Sequence, residues 1–265
     1  MNLFDNETKI LSFFRDRFRE SETALIPFDS ELPDLLRLIT PDSQWEKWVN
    51  SSGKAEPPPD FYCDEFALMM EVMRIDDHAY TNGKGKVVNH VNARESKMQK
   101  ELQDSGIVEQ FPNLKYVICN PKTELETKED HNYTFYVSNF IRTIEDHVKK
   151  INLYRRNHPN FKLIFFIMDE SSAYMQAINP SDTLDRVYEG RMMQGTLHQY
   201  WEDEAFVRAI YNSEVDYLIW FTPWKYIQLQ EGGHLHVPKT FVFDIKRMSI
   251  QTQKYNPELM VSSEA

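Results

Sequence analysis

The residues best suited to chemistry are two acids set at the ends of short apolar stretches. Asp60 follows Pro59 and precedes the aromatic start Phe61-Tyr62, and Glu71 stands eleven positions later inside Ala67-Leu68-Met69-Met70-Glu71-Val72-Met73. A carboxylate within an apolar strand needs compensation, because an unpaired buried charge is costly. A divalent cation shared with a second carboxylate supplies it, and hard oxygen ligands of this kind suit Mg²⁺ or Mn²⁺. A chain reversal near Asp64-Glu65 would set two strands side by side and bring Asp60 next to Glu71. A cation held there can activate a water and neutralise charge on a phosphodiester. The structural alternative gives Asp60 a turn role and turns Glu71 to solvent or to Arg74.

Other polar groups have two readings each. Asp169-Glu170-Ser171-Ser172 follows the strongest apolar run, Leu163 to Met168. At the carboxyl end of a strand in an open sheet these residues either line a ligand cleft or cap the next element. Phe243-Asp244-Ile245-Lys246 carries an acid-X-lysine with Asp216 as its possible partner, and an edge strand with residues turned outward explains it without chemistry. His234-Leu235-His236 has metal-ligand spacing but no third ligand nearby, which favours a loop or hairpin edge. Asp76-Asp77-His78 follows the Glu71 strand and reads by default as a solvated turn. Arg142, Lys149 and Arg156 recur every seven residues, as a line that tracks a phosphate backbone or as an ordinary charged face. The pairs Lys149-Lys150 and Arg155-Arg156 also complement a helix dipole.

Strands and helices must alternate to position these groups. Ile10, Leu11, Phe14 and Phe18 recur at helical spacing and predict a first helix over 7–19. Short helices and turns follow to Pro59, then strand from Phe61 and over Phe66 to Ile75, and a helix from Asn89 to Gln103. Next come a strand at Leu114 to Cys119, an acidic loop at Lys122 to Asp130, and one long helix from Tyr136 to Arg156. Its apolar stripe reads Val137, Ile141, Ile144, Val148 and Ile151. A strand at Lys162 to Met168, a turn at Asn179 to Asp182, helices between Leu184 and Tyr211, and strands at Tyr217 to Phe221 and Phe241 to Ile245 complete the order. Such alternation predicts an α/β fold with a mixed central sheet flanked by helices. A single domain is expected over 1–265, comprising a helical N-terminal part (1–57), a sheet-containing core (58–250) and a frayed tail (251–265).

With 41% hydrophobic and 13% aromatic residues among 265, the chain can bury a sizeable core. No apolar run approaches the ~20 residues that cross a bilayer, so no membrane association is expected. The start Met1-Asn2-Leu3-Phe4-Asp5 lacks a basic, then apolar, signal pattern, which predicts a cytoplasmic location. Cys63 and Cys119, the two cysteines, read as separate reduced thiols. A net charge of −11 works against non-specific coating of nucleic acid, although a local basic face is compatible with it. Eight glycines form neither G-x-G-x-x-G nor a Walker loop, and no Gly-x-Ser-x-Gly elbow is present.

Pro59-Asp60 together with Glu71 resembles the PD-(D/E)XK nuclease superfamily, whose pattern is Pro-Asp before one strand and acid-X-lysine on the next. The resemblance covers roughly Pro58 to Cys119. It implies a restriction-endonuclease-like core and a metal-dependent nuclease or phosphodiesterase acting on nucleic acid, with Asp60 and Glu71 as ligands of Mg²⁺ or Mn²⁺. Met73 departs from the pattern by standing where the family has its lysine. Some members take that lysine from the following helix, where His90, Arg94 and Lys97 share one face, so the resemblance makes Lys97 the substitute. The competing reading is a non-catalytic interaction or regulatory protein on the same scaffold, using Trp45, Trp48, Trp201, Trp220 and Trp224 against a protein partner.

Overall fold

Runs such as Leu163 to Met168 lack polar alternation, so as strands they need cover on both faces. The computed structural model describes residues 6–263 apart from 29, 54–58, 107–109, 111–130, 179–194, 226, 229–233 and 236. The elements begin with α1 (Glu7–Phe18), β1 (Thr23–Ile26), α2 (Leu32–Ile39), α3 (Asp42–Trp45), β2 (Val49–Asn50), β3 (Phe61–Cys63), β4 (Leu68–Ile75), β5 (Tyr80–Thr81), β6 (Val87–Val88) and α4 (His90–Asp104). They continue with α5 (Tyr133–Val148), α6 (Ile151–Asn157), β7 (Lys162–Asp169), β8 (Tyr174–Ala177), β9 (Gly195–Leu197), α7 (Glu204–Tyr211), β10 (Tyr217–Phe221), β11 (Ile227–Gln228), β12 (His234–Leu235), β13 (Thr240–Asp244) and β14 (Met260–Ser262).

A seven-stranded sheet of order β1-β13-β10-β7-β4-β3-β2 carries the fold. Strands β4, β7 and β10 run parallel, whereas β3 and β2 on one side and β13 on the other bring antiparallel pairs. The fold is therefore mixed α/β, as the alternation of elements predicts. One sheet face, with Met70, Val72, Ile164, Phe166 and Val242, packs against α1 and α2. On the other, Met69, Met73, Phe165, Ile167 and Trp220 pack against α5, α6 and α7. No helix among the described residues is long and apolar enough to cross a membrane.

Several expectations change. The 1–57 part is not purely helical, because β1 and β2 lie within it and form both edges of the sheet. Strand β13 is interior, between β1 and β10, and all five of its residues are buried, so the edge-strand explanation of Asp244-Ile245-Lys246 fails. The tail is not frayed throughout: β14 pairs with β8, Val261 is buried, and Ser262 Oγ lies 2.8 Å from Ser172 Oγ. Trp220 and Trp48 are buried, and the partly buried Trp45, Trp201 and Trp224 stack on Trp48, Phe241 and Phe13. The expected strand at Leu114 to Cys119, the loop at Lys122 to Asp130, the turn at Asn179 to Asp182, Cys119 and His236 lie outside the described residues.

The long helix breaks into α5 and α6 at Lys149 and Lys150. Here Lys150 N–H donates to His147 O (3.0 Å), tightening the turn, and Lys150 O accepts from Tyr154 N–H (3.1 Å) to open the next helix. Its buried stripe is Tyr133, Tyr136, Phe140 and Ile144, then Ile151 and Tyr154. That stripe is rotated from the aliphatic one and takes in the position of His147.

Phe14 anchors α1 to the sheet through edge contacts with Phe166 (4.9 Å between centroids) and Phe221 (5.1 Å). Removing a fully buried ring leaves a cavity as well as losing transfer energy. Phe14→Ala is expected to lower unfolding free energy by about 3–5 kcal/mol in urea titration.

Candidate functional site

Strands β3 and β4 form a hairpin with Phe61 opposite Met70, Tyr62 opposite Met69 and Cys63 opposite Leu68. One step beyond that ladder, Asp60 reaches Glu71. The Asp60 N–H donates to Glu71 Oε2 (3.3 Å), and Val72 N–H donates to Asp60 Oδ2 (2.8 Å). Side chains alternate along a strand, so both acids share the sheet face of Tyr62, Met69 and Met73 beneath α5 and α6. Glu71 is neither solvent-facing nor paired with Arg74. It is 5% exposed, and Arg74 instead donates to Glu170 at 2.5 and 2.8 Å.

Helices α5 and α6 supply the surroundings. Tyr154 OH donates to Glu71 Oε1 (2.8 Å), and His147 Nε2 lies 3.7 Å from the same oxygen. Burial, then the charge of Asp60, pushes the Glu71 carboxyl up to about 7, while Tyr154 and Lys150 pull it down. Burial likewise pushes Asp60 up to about 6 and Glu7 of α1 adds to this, against the Val72 N–H and the Lys150 charge. For His147, burial followed by the Lys150 charge holds the imidazole down to about 4, so it is neutral near pH 7. Its Nδ1 is buried without a hydrogen-bond partner.

The structure thus brings Asp60 and Glu71 together and surrounds them with Glu7, His147, Lys150 and Tyr154. Lys97 is exposed on α4, and the cation whose charge acts on both acids is Lys150. Met73, two residues beyond Glu71 on the same face, is 3% exposed in the apolar core. A lysine there would bury its ammonium, whereas Lys150 at the helix junction is exposed and its charge acts on the acids from outside the core. Lys150 and Tyr154 stand at i, i+4, a spacing that places them on one helical face. This spacing is the signal for Lys150 in the sequence, where Lys149-Lys150 also complements a helix dipole.

The other candidate groups have structural partners. Asp169 is fully buried and accepts from Tyr136 OH (2.6 Å), Trp220 Nε1 (2.8 Å) and Ser171 Oγ (2.6 Å), with Lys225 Nζ at 3.4 Å, so it fills the interior rather than lining a cleft. Asp216 accepts from Leu163 N–H (2.8 Å) and pairs with Lys246, which ties β10 to β7. Arg142 donates to Asn139 and Lys149 pairs with Asp146, leaving the basic line an ordinary helix surface. Asp77 is not in a solvated turn but fully buried. A cavity of about 480 Å³ lined by Phe13, Arg17, Glu20, Phe221, Trp224 and Lys239 contains neither acid.

Compared with family models, curated proteins and solved structures, the chain matches none.

A carboxyl whose folded pKa is raised keeps its proton in the native state while the unfolded chain has released it, so stability falls as pH rises through that window. For Glu71 the window runs from the ordinary 4.5 to about 7. Glu71→Gln, uncharged throughout, should not show this fall. Urea unfolding at pH 5 and pH 7.5 is expected to show wild type losing on the order of 3 kcal/mol relative to the variant.

Proposed function

We propose that the chain is a metal-dependent phosphodiesterase of nuclease type on a restriction-endonuclease-like core, with Asp60 and Glu71 as ligands of Mg²⁺ or Mn²⁺. The observation that carries the reading is the convergence of these two acids on one face at the open end of the β3–β4 hairpin, where the charge of Lys150 lowers the proton affinity of both. The donor set fits a hard cation, since carboxylate oxygens suit Mg²⁺ and Mn²⁺. The fit is also electrostatic: the Asp60 charge raises the proton affinity of Glu71, and a shared dication relieves that repulsion.

When bound, the cation supplies Lewis-acid activation of water and of a phosphoryl oxygen. The chain's own residues do the rest. Tyr154 holds Glu71 Oε1 by its hydroxyl, so that Oε2 remains directed toward Asp60. Lys150, whose charge acts on both acids, would offset negative charge developing on a phosphodiester bound beside them. His147 stays neutral near pH 7 and so adds no charge of its own beside the acid pair. The depth of Glu71, 5% exposed, favours the second reading, a non-catalytic protein that retains the scaffold.

Cleavage of single- and double-stranded DNA and RNA in Mn²⁺ or Mg²⁺ separates the two readings. Asp60→Asn, Glu71→Gln and Lys150→Ala are each expected to cut the rate by on the order of 10²–10³ with the fold intact. Loss in Lys97→Ala instead of Lys150→Ala transfers the lysine's role to α4. A wild-type protein that cleaves none of the substrates in either metal leaves the non-catalytic reading standing.

A further inference from the structure

The carboxyl end of β4 holds a second cluster, chemically unlike the first. Asp77 is fully buried just past the strand, His78 follows it, and His131 directly precedes Asn132, whose side chain caps α5 by accepting from Thr134 N–H (2.8 Å). The two oxygens of Asp77 have different neighbours. Oδ2 accepts from Ser172 N–H (3.1 Å), Ser172 Oγ (2.8 Å) and Tyr174 OH (2.6 Å), and His131 Nδ1 lies 3.3 Å away. Oδ1 faces two imidazoles, His131 Nδ1 at 3.2 Å and His78 Nε2 at 3.5 Å.

We propose that Asp77, His78 and His131 form a binding site for one Zn²⁺ ion, separate from the Asp60–Glu71 pair. Zinc bonds of about 2.0–2.1 Å in tetrahedral geometry put neighbouring donor atoms about 3.3–3.4 Å apart. The two separations from Asp77 Oδ1, 3.2 and 3.5 Å, bracket that edge. Donor atoms of all three residues lie within 4.8 Å of one another, so rotation of an imidazole closes the third edge. Two imidazoles and one carboxylate suit zinc over Mg²⁺, the reverse of the all-oxygen pair at Asp60 and Glu71.

The surroundings are those of a supported ligand set. Three donors on Oδ2 fix the Asp77 carboxylate and leave Oδ1 as the coordinating atom, the outer support that orients metal ligands. Asn132 N–H donates to Asp77 O (3.2 Å), which sets the start of α5 and hence His131 against the site. The His78 and His131 side chains are 13% and 15% exposed, enough for an ion to enter. Three protein ligands leave one tetrahedral position for a water or an added ligand. The two sites cannot merge, because Glu71 to Ile75 alone spans about 13 Å of strand at ~3.3 Å per residue.

Chelator-treated full-length protein is titrated with Zn²⁺ by calorimetry and with Co²⁺ by visible absorption, and circular dichroism confirms the fold of each variant. One Zn²⁺ per chain and the intense d–d bands of tetrahedral Co²⁺ are expected, both retained in the Asp60→Asn/Glu71→Gln double variant. His131→Ala should weaken Zn²⁺ binding by roughly 100-fold or more. Should His131→Ala fail to fold, His78→Gln and Asp77→Asn carry the test, the latter keeping a carbonyl oxygen for Tyr174 and Ser172. Absence of stoichiometric Zn²⁺ binding overturns the site in favour of plain Asp–His hydrogen bonds. Binding unchanged in the ligand variants, or lost only in the Asp60/Glu71 double variant, overturns it as well.

Discussion

Tyrosine hydroxyls that satisfy buried carboxylates are the interaction on which this interior depends. Four acids lie at or near full burial on the side of the sheet covered by α5, and each has a tyrosine: Tyr154 for Glu71 (2.8 Å), Tyr136 for Asp169 (2.6 Å), Tyr174 for Asp77 (2.6 Å) and Tyr133 for Asp203 (2.5 Å). An ionised carboxylate in a dry interior is tolerable only when its lone pairs are filled, and a phenol fills one while adding a ring to the core. Burial and the adjacent acid push all four phenols above their ordinary range, so the proton stays on tyrosine and the acid remains the acceptor. Three of the four tyrosines sit on α5 and α6. These helices therefore cannot slide on the sheet without stripping several acids of their donors at once.

That constraint explains why the two faces of one sheet differ. The face under α1 and α2 is filled by aliphatic and aromatic side chains. The face under α5, α6 and α7 carries acids, tyrosines, His147, His198 and Lys225 within the same layer as Phe165 and Trp220. Polar networks of this kind demand one arrangement where an apolar core tolerates several. The fixed geometry of Asp60, Glu71 and Tyr154 follows from it, because the break between α5 and α6 is pinned on both sides by buried tyrosines, Tyr136 and Tyr154.

Legibility in the sequence follows the range of the forces involved. Strands β4, β7, β10 and β13 and helix α1 are readable to within a few residues, since burial leaves a local imprint on each, and α4 is readable as well although its described side chains are mostly exposed. The adjacency of Asp60 and Glu71 was readable too, because a hairpin fixes register from its turn. Strands β2, β8, β9 and β14 were not: each is two to four residues long and exists only through its pairing. The role of Lys150 is hidden in the sequence for a different reason. Its position depends on which stripe of α5 meets the sheet, and tyrosines at 133, 136 and 154 look like surface residues until their hydroxyls find acids. The burial of Asp77 was hidden likewise, because its partners Ser172 and Tyr174 are more than ninety positions away.

The location of the acid pair departs from the usual rule for open α/β sheets. Ligands there gather beyond the carboxyl ends of parallel strands, which for β4, β7 and β10 means Asp77, Asp169 and Thr222. At β7 and β10 that place is taken from within: Lys225, 3% exposed, donates to Ser172 O (3.0 Å) and lies over the rings of Tyr136 and Tyr200. The acid pair lies instead beside β4, the strand where pairing changes from antiparallel with β3 to parallel with β7. Antiparallel neighbours can end early without a crossover, so β3 stops at Phe61 and leaves Asp60 at the end of a three-residue strand beside a continuing β4. The meeting of Asp60 with Glu71 is a consequence of that unequal length, and there, among the described residues, a buried acid meets a second carboxylate as well as a tyrosine.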